Sequence, residues 1–383
     1  MLGERGFSIS CYSPDFRENE AELVRLGLEV QDFPESGGMW WEIEPDQGFK
    51  SGPFTWRVSP TEPVLYLKRS STESGERLRF TMNGSMGRLL PRTLEFTGEP
   101  SAPITDVETI LSYPHREWTK PEFQVYSWSH NPSVLIFDTA DYAVQARLFK
   151  RLAFYVEKMG YRGGLMQNHQ IAHLHGWNAH DYRDEDLARF FTAAAQLEAE
   201  GERILNEEER ELLHILLEHE VLQGGDGEYQ PGGGCLISIS RQTSPYLRKR
   251  FMQHELLHAL FFEIPAYERG VQKIWDDLEN EFKLFWKAFL SWYLYDVDDP
   301  YLVINEFQAY LMQQKTEEAP AYLAAKARQA AASARTDREA DLLLRRIADN
   351  RSGELLRQAR QVEAVLHDVT GFDAGDVETR HHY

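Results

Sequence analysis

The sequence predicts an α+β protein: a β-rich N-terminal domain, then a mixed domain of strands and long helices, then a helical C-terminal part. Three observations lead there. Up to about residue 120, short runs rich in β-branched and aromatic residues are separated by Gly, Pro, Ser and Asp. From Phe123 onward, strand-like runs alternate with stretches whose apolar residues recur at spacings of three and four. After Gln314 the chain is rich in Ala and Arg and keeps the helical period. The 383 residues therefore divide into 1–120, 121–315 and 316–383.

Within the first part, strands are expected at 6–12, 28–33, 39–43, 53–58, 64–68 and 78–82, forming a small sandwich. Trp40, Trp41 and Trp56 either fill its core or offer a stacking platform to sugar or peptide. The Pro-rich loops at 100–103 and 114–121 make a boundary region. Strands follow at 123–128 and 133–137, and Thr139-Ala140-Asp141 caps a helix striped by Val144, Leu148, Leu152 and Val156. The run 163–181 carries His169, His173, His175 and His180. His169 and His173 stand four apart, so this run is either a second metal site or a loop that lends one His to a substrate.

Acidic amphipathic helices are expected at 184–200 and 207–222, then a glycine-rich loop at 224–234. Cys235 to Ser240 alternate in period two, the mark of a half-buried strand. Ser244 and Pro245 suit an N-cap and a first helical turn, and no Gly or Pro follows until Pro265, so one helix covers 244–262. Val271, Ile274, Leu278, Phe282, Phe285, Phe289 and Tyr293 continue the stripe as a single helix over about 268–295. Asp298, Asp299 and Pro300 start another, over 299–314. Further helices at 322–332, 339–348 and 355–369 close the chain, with His381, His382 and Tyr383 as a frayed tail or the remnant of a tag.

Composition limits the partners. With 42% hydrophobic and 12% aromatic residues the chain can bury a substantial core. A net charge of −20 argues against nucleic acid or an anionic membrane as general partners. The densest basic run, Arg248-Lys249-Arg250, reads as the solvated face of its helix. Cys11 and Cys235 are too few for a disulfide scaffold and leave one bridge open. No run of about eighteen apolar residues spans a membrane. Met1-Leu2-Gly3-Glu4-Arg5 has no apolar stretch behind it, so the chain as written reads as cytoplasmic, and an exported protein already trimmed reads the same. Oligomeric state is left open.

The chemistry concentrates in His254-Glu255-Leu256-Leu257-His258, an H-E-x-x-H pattern. Leu247, Phe251, His254, His258 and Phe261 follow at four, three, four and three, which is one helical stripe. Two histidines four apart point the same way and can offer two imidazole nitrogens to one ion. Glu255 stands about 100° around the helix, where a general base is wanted. Chance alone gives this pattern in roughly a few per cent of such chains, so its setting matters. Buried histidines need partners for their ring nitrogens, and a metal supplies one to each. With no C-x-x-C in the chain, a zinc site closed by four Cys or His ligands is not expected.

H-E-x-x-H followed downstream by Asn305-Glu306-Phe307-Gln308-Ala309, an N-E-x-x-A pattern, resembles the gluzincin metallopeptidases, which include thermolysin-like enzymes and zinc aminopeptidases. The resemblance covers residues 235–314. It implies a zincin-like catalytic domain, one Zn²⁺ held by His254, His258 and Glu306, and Glu255 as general base. It also implies that an upstream strand pairs with the substrate backbone, for which Ile237, Ser238, Ile239 and Ser240 are the candidates. This chain departs from the family in its longer interval between His258 and Glu306. It also has Tyr310 where thermolysin-like enzymes carry an Asp that steadies a ligand histidine. Tyr310 is the first candidate for stabilising an oxyanion, with Tyr293, Tyr295, Tyr301, His175 and His180 as others. The expected function is zinc-dependent hydrolysis of peptide bonds in a peptide or protein substrate. Endopeptidase is preferred because the G-x-M-E-N segment with which zinc aminopeptidases grip a free amine is missing. The competing reading is a non-catalytic peptide- or glycan-binding protein on a peptidase scaffold.

Overall fold

The structure, a computed structural model, describes residues 102–333 and 336–378, and before them the backbone of seven strands between residues 5 and 97. The chain divides into two units, residues 1–106 with 125–132, and residues 107–124 with 133–383. The mixture of sheets followed by helices is the α+β class that the sequence predicts.

In the first unit, β1 (Arg5–Tyr12), β6 (Arg77–Gly84), β3 (Met39–Pro45) and β4 (Phe54–Val58) form one antiparallel sheet in that order. β5 (Val64–Lys68), β2 (Leu23–Gln31) and β7 (Arg88–Thr97) form another. β7 is not expected from the sequence because Pro91 interrupts it. The strand borders its sheet, and Pro91 stands opposite Leu28 where the register shifts, a place that tolerates a missing N–H. Trp41 pairs with Trp56 across β3 and β4. The side chains that would pack a sandwich, those of Trp40, Trp41 and Trp56 included, lie outside the described residues, as do His381, His382 and Tyr383. β8 (Ile104–Thr105) pairs in parallel with β9 (Phe123–Trp128), Ile104 opposite Ser127.

The second unit is built on β14 (Cys235–Ser240), which pairs in parallel with β10 (Asn131–Thr139) and antiparallel with β11 (His180–Arg183). β12 (Leu222–Gly225) and β13 (Glu228–Pro231) form a separate hairpin. The helices are α1 (Val107–Ser112), α2 (Tyr142–Val156), α3 (Asn168–Ile171), α4 (Asp184–Ala199), α5 (Glu207–Glu218) and α6 (Pro245–Glu263). After them come α7 (Pro265–Asp276), α8 (Asn280–Trp292), α9 (Pro300–Met312), α10 (Ala319–Ala330), α11 (Arg338–Asn350) and α12 (Ser352–Thr370). Among the described residues no helix is long and apolar enough to cross a membrane. Cys235 is buried with a free thiol.

Two expectations are corrected here. The single helix over 268–295 is two, α7 and α8, separated at Asp277–Glu279. Asp277 caps α7 and is a poor helix former, yet Leu278 in the turn is buried, so the apolar period runs through the break and conceals it. Arg248 is not on a solvated face either. It is buried on α6 and donates to Asp138 Oδ2 at 2.5 Å and to the Leu111 carbonyl at 2.8 Å.

That ion pair ties α6 to the sheet. Asp138, fully buried near the end of β10, also accepts from Arg241 Nε at 2.9 Å, just past β14. Burial pushes the Asp138 carboxyl up even with two guanidiniums beside it, so the pair fixes geometry more than it adds net stability. Removing the anion is another matter, since it strands buried Arg248. Asp138→Ala is expected to destabilise the protein by about 3–5 kcal/mol, read from a denaturant midpoint.

Candidate metal centre

α6 is one of the most buried elements of the second unit, enclosed on all sides from Met252 to Phe261, against β14, β11, α7 and α9. Ser244 stands at its N-cap, although its side chain makes no capping bond, and Pro245 opens the first turn. The helix ends before Pro265, which starts α7. α9 is capped by Asp299, whose carboxylate accepts from the Tyr301 N–H at 3.0 Å.

The two helices are locked by Gln308 on α9. Its Nε2 donates to the Leu257 carbonyl of α6 at 3.2 Å and to Asn305 Oδ1 at 3.2 Å, while its Oε1 accepts from the Tyr267 hydroxyl at 2.8 Å. This lock sets Glu306 opposite the histidines. His254 Nε2 lies 3.5 Å from Glu306 Oε2, and His258 Nε2 lies 3.6 Å from Glu306 Oε1. The two imidazoles are 4.7 Å apart between centroids and nearly perpendicular. His254, His258 and Glu306 are 8%, 0% and 1% exposed.

These separations fit a metal better than hydrogen bonds. Two ligand atoms each about 2.1 Å from a tetrahedrally held ion lie about 3.4 Å apart, whereas an N–H···O bond spans about 2.7–3.2 Å. Two of the proposed ligand atoms, His258 Nε2 and Glu306 Oε2, are also unsatisfied. His258 Nδ1 and Nε2, His254 Nδ1, Glu306 Oε2 and Glu255 Oε2 are buried without a hydrogen-bond partner. Two imidazoles and a carboxylate are a donor set that suits Zn²⁺ and leaves a position open.

Electrostatics add to this. Glu306, Glu255 and Glu157 are buried, and each feels the charge of half-buried Asp181. Burial pushes Glu306 up to about 8, with His258 opposing and Asp181 adding to the rise. Burial first, then Asp181, Glu306 and Glu157, holds the Glu255 carboxyl well above the usual range. Glu157, at the end of α2, is raised in the same way. His254 is pushed down to about 4 by burial. A neutral His254 imidazole among crowded carboxyls makes a buried cluster that a divalent cation would relieve, and the cation would ionise Glu255.

The remaining sequence candidates fall as follows. Tyr310 is buried, with its ring against His254 at 4.9 Å, Phe289 at 5.2 Å and Tyr293 at 5.5 Å, and its hydroxyl faces Tyr295. The Tyr295 hydroxyl faces Glu306 directly. Tyr295 comes from the link between α8 and α9, where Leu294 adopts φ 71° and the Tyr295 ring stacks on Trp177 at 4.8 Å. Tyr301 packs on Phe261 and beneath the Arg183 guanidinium.

Ile237 to Ser240 are not available to a substrate strand. β14 is paired on both sides and buried along its whole length, Ser238 and Ser240 included, so it is neither half-buried nor an edge. The outer strand beside it is β11. His180 on β11 bonds the Tyr182 hydroxyl at 2.9 Å, and both rings pack on Phe149 of α2. His169 and His173 are exposed, and the described residues contain no metal-binding group that includes them. The groups that could hold an ion are His254 with His258 and Glu306, and Asp181 with Glu255 and His258.

Sequence reasoning missed Asp181 and Glu157, which carry no motif. The available signal was the alternation along β11, which puts Asp181 and Arg183 on the face opposite His180 and Tyr182. Compared with known proteins, the chain matches no protein-family model, no curated protein and no solved structure.

Proposed function

We propose that the chain is a zinc-dependent metallopeptidase with a zincin-like catalytic domain of the gluzincin type. The observation that carries this reading is the convergence of buried His254, His258 and Glu306 at ligand spacing, with both His258 ring nitrogens and Glu306 Oε2 lacking a hydrogen-bond partner and Glu255 beside them. A Zn²⁺ ion held by those three residues would polarise a scissile carbonyl and acidify a water molecule. Glu255 then takes the proton of the attacking water and passes it to the leaving amine. Tyr295 is the hydroxyl best placed to donate to the oxygen that gains charge, in preference to Tyr310, which packs against His254. The outer edge of β11 replaces β14 as the strand along which an extended peptide backbone pairs. The sequence lacks G-x-M-E-N, which favours internal cleavage over removal of N-terminal residues.

Elemental analysis of the purified protein together with a peptide-library digest tests this reading. About one equivalent of zinc and zinc-dependent cleavage are expected. A protein that takes up no zinc, or that binds peptides without cutting any of them, would defeat it. On a cleaved peptide, Tyr295→Phe is expected to lower kcat by about 10²-fold with zinc content unchanged, the effect of losing one oxyanion donor. An equal loss in Tyr310→Phe with none in Tyr295→Phe would return the role to Tyr310.

A further inference from the structure

Resting on the metal-centre reading, we propose that Asp181 is a positioning residue, a carboxylate of β11 that orients the His258 imidazole. Asp181 lies outside both sequence motifs and comes from a strand, not from either of the helices that carry them. Antiparallel pairing with β14 sets it opposite Ile237, and alternation along β11 turns it toward α6. The strand is held on both sides of it. His180 and Tyr182 bond each other on the far face, and Arg183 bonds Asp186 at 2.8 Å and covers the Tyr301 ring of α9. Asp181 is therefore presented by a fixed backbone.

Its partner is a group with an unmet need. His258 is fully buried, and both ring nitrogens lack a hydrogen-bond partner. Nε2 faces Glu306 Oε1 at 3.6 Å, and Nδ1 faces Asp181 Oδ2 at 3.8 Å. An imidazole that gives Nε2 to a metal carries its proton on Nδ1, and that N–H needs an acceptor. Asp181 supplies the carboxylate on that side, and about 1 Å of side-chain movement brings the pair to hydrogen-bond distance. The Asp181 carboxyl also faces that of Glu255, so that ligand atoms of Asp181, Glu255 and His258 lie within 4.8 Å of one another. With Tyr310 at the position four beyond Glu306 and packed on the other imidazole, no carboxylate on α9 fills this role. Carboxylates that hold a ligand histidine raise its basicity and fix its ring, and their loss typically weakens metal binding about 10- to 100-fold.

The test uses the full chain with Zn²⁺ as probe, its affinity read by competition with a chromogenic chelator, and with Co²⁺ as a spectroscopic reporter. Asp181→Ala and the isosteric Asp181→Asn are expected to bind Zn²⁺ about 10- to 100-fold more weakly. The same variants should show an altered Co²⁺ visible band and an unchanged unfolding midpoint in the metal-free state. A purely structural role would lower the metal-free midpoint and leave the Co²⁺ band as it was. If Asp181→Ala does not fold, Asp181→Asn carries the test. Zn²⁺ affinity equal to wild type in these variants, with His258→Ala weakened, overturns the role of Asp181 and leaves the metal centre standing. No uptake of Zn²⁺ by the wild type overturns the centre itself. A second equivalent of Zn²⁺, present in the wild type and lost in Asp181→Asn, would make Asp181 a ligand and overturn the positioning role.

Discussion

Glu255→Gln is expected to keep the fold and the metal and to lose hydrolysis by about 10²- to 10⁴-fold. The substitution keeps the size of a side chain that is only 4% exposed, and its amide can still bond the facing Asp181 carboxylate. Glu255 is outside the His254, His258 and Glu306 ligand set, so zinc content should be unchanged. What the amide cannot do is accept a proton from water. Steady-state kcat on a cleaved peptide, measured beside metal content, decides the matter. Cleavage at close to the wild-type rate would remove Glu255 from the mechanism. A peptide or glycopeptide bound equally by both forms and cut by neither would favour a binding protein on an inactive scaffold.

The cluster of His254, His258 and Glu306 was legible in the sequence where local rules suffice. The Ser244-Pro245 start, the stop at Pro265 and the spacing of four between His254 and His258 determine which face of α6 the two imidazoles share. Asp299 and Pro300 mark the start of α9 in the same way. What stayed hidden depends on contacts between distant segments. The period-two pattern of Cys235 to Ser240 shows a strand but cannot tell a central strand from an edge, and β14 proved central. Arg248 reads as surface until Asp138 of β10 meets it. Tyr310 sits one turn beyond Glu306, and what its ring packs against, His254 and Tyr293, comes from α6 and the end of α8. Tyr295 reaches Glu306 through a left-handed turn at Leu294, a conformation that leucine does not advertise. Asp181 touches the centre only because β11 pairs with β14.

His258→Ala and Glu306→Ala are expected to abolish stable zinc binding, because each removes one of three protein ligands and two cannot hold the ion in place. The effect should exceed that of altering Asp181, which acts through His258. It should also appear in stability. A ligand that binds only the folded chain stabilises it by about 2.7 kcal/mol at a hundredfold excess over its Kd, so added Zn²⁺ should raise the unfolding midpoint of the wild type and leave that of either variant in place. The two substitutions test different helices. His258 is fully buried on α6, whereas Glu306 is carried by α9 and reaches the histidines only because Gln308 locks that helix to the Leu257 carbonyl. Loss of zinc in His258→Ala alone would leave α6 binding metal without α9, and Glu306 would then be a crowded core carboxyl. Full retention of zinc by both variants, measured by elemental analysis, would place the ion elsewhere in the molecule and defeat the ligand assignment.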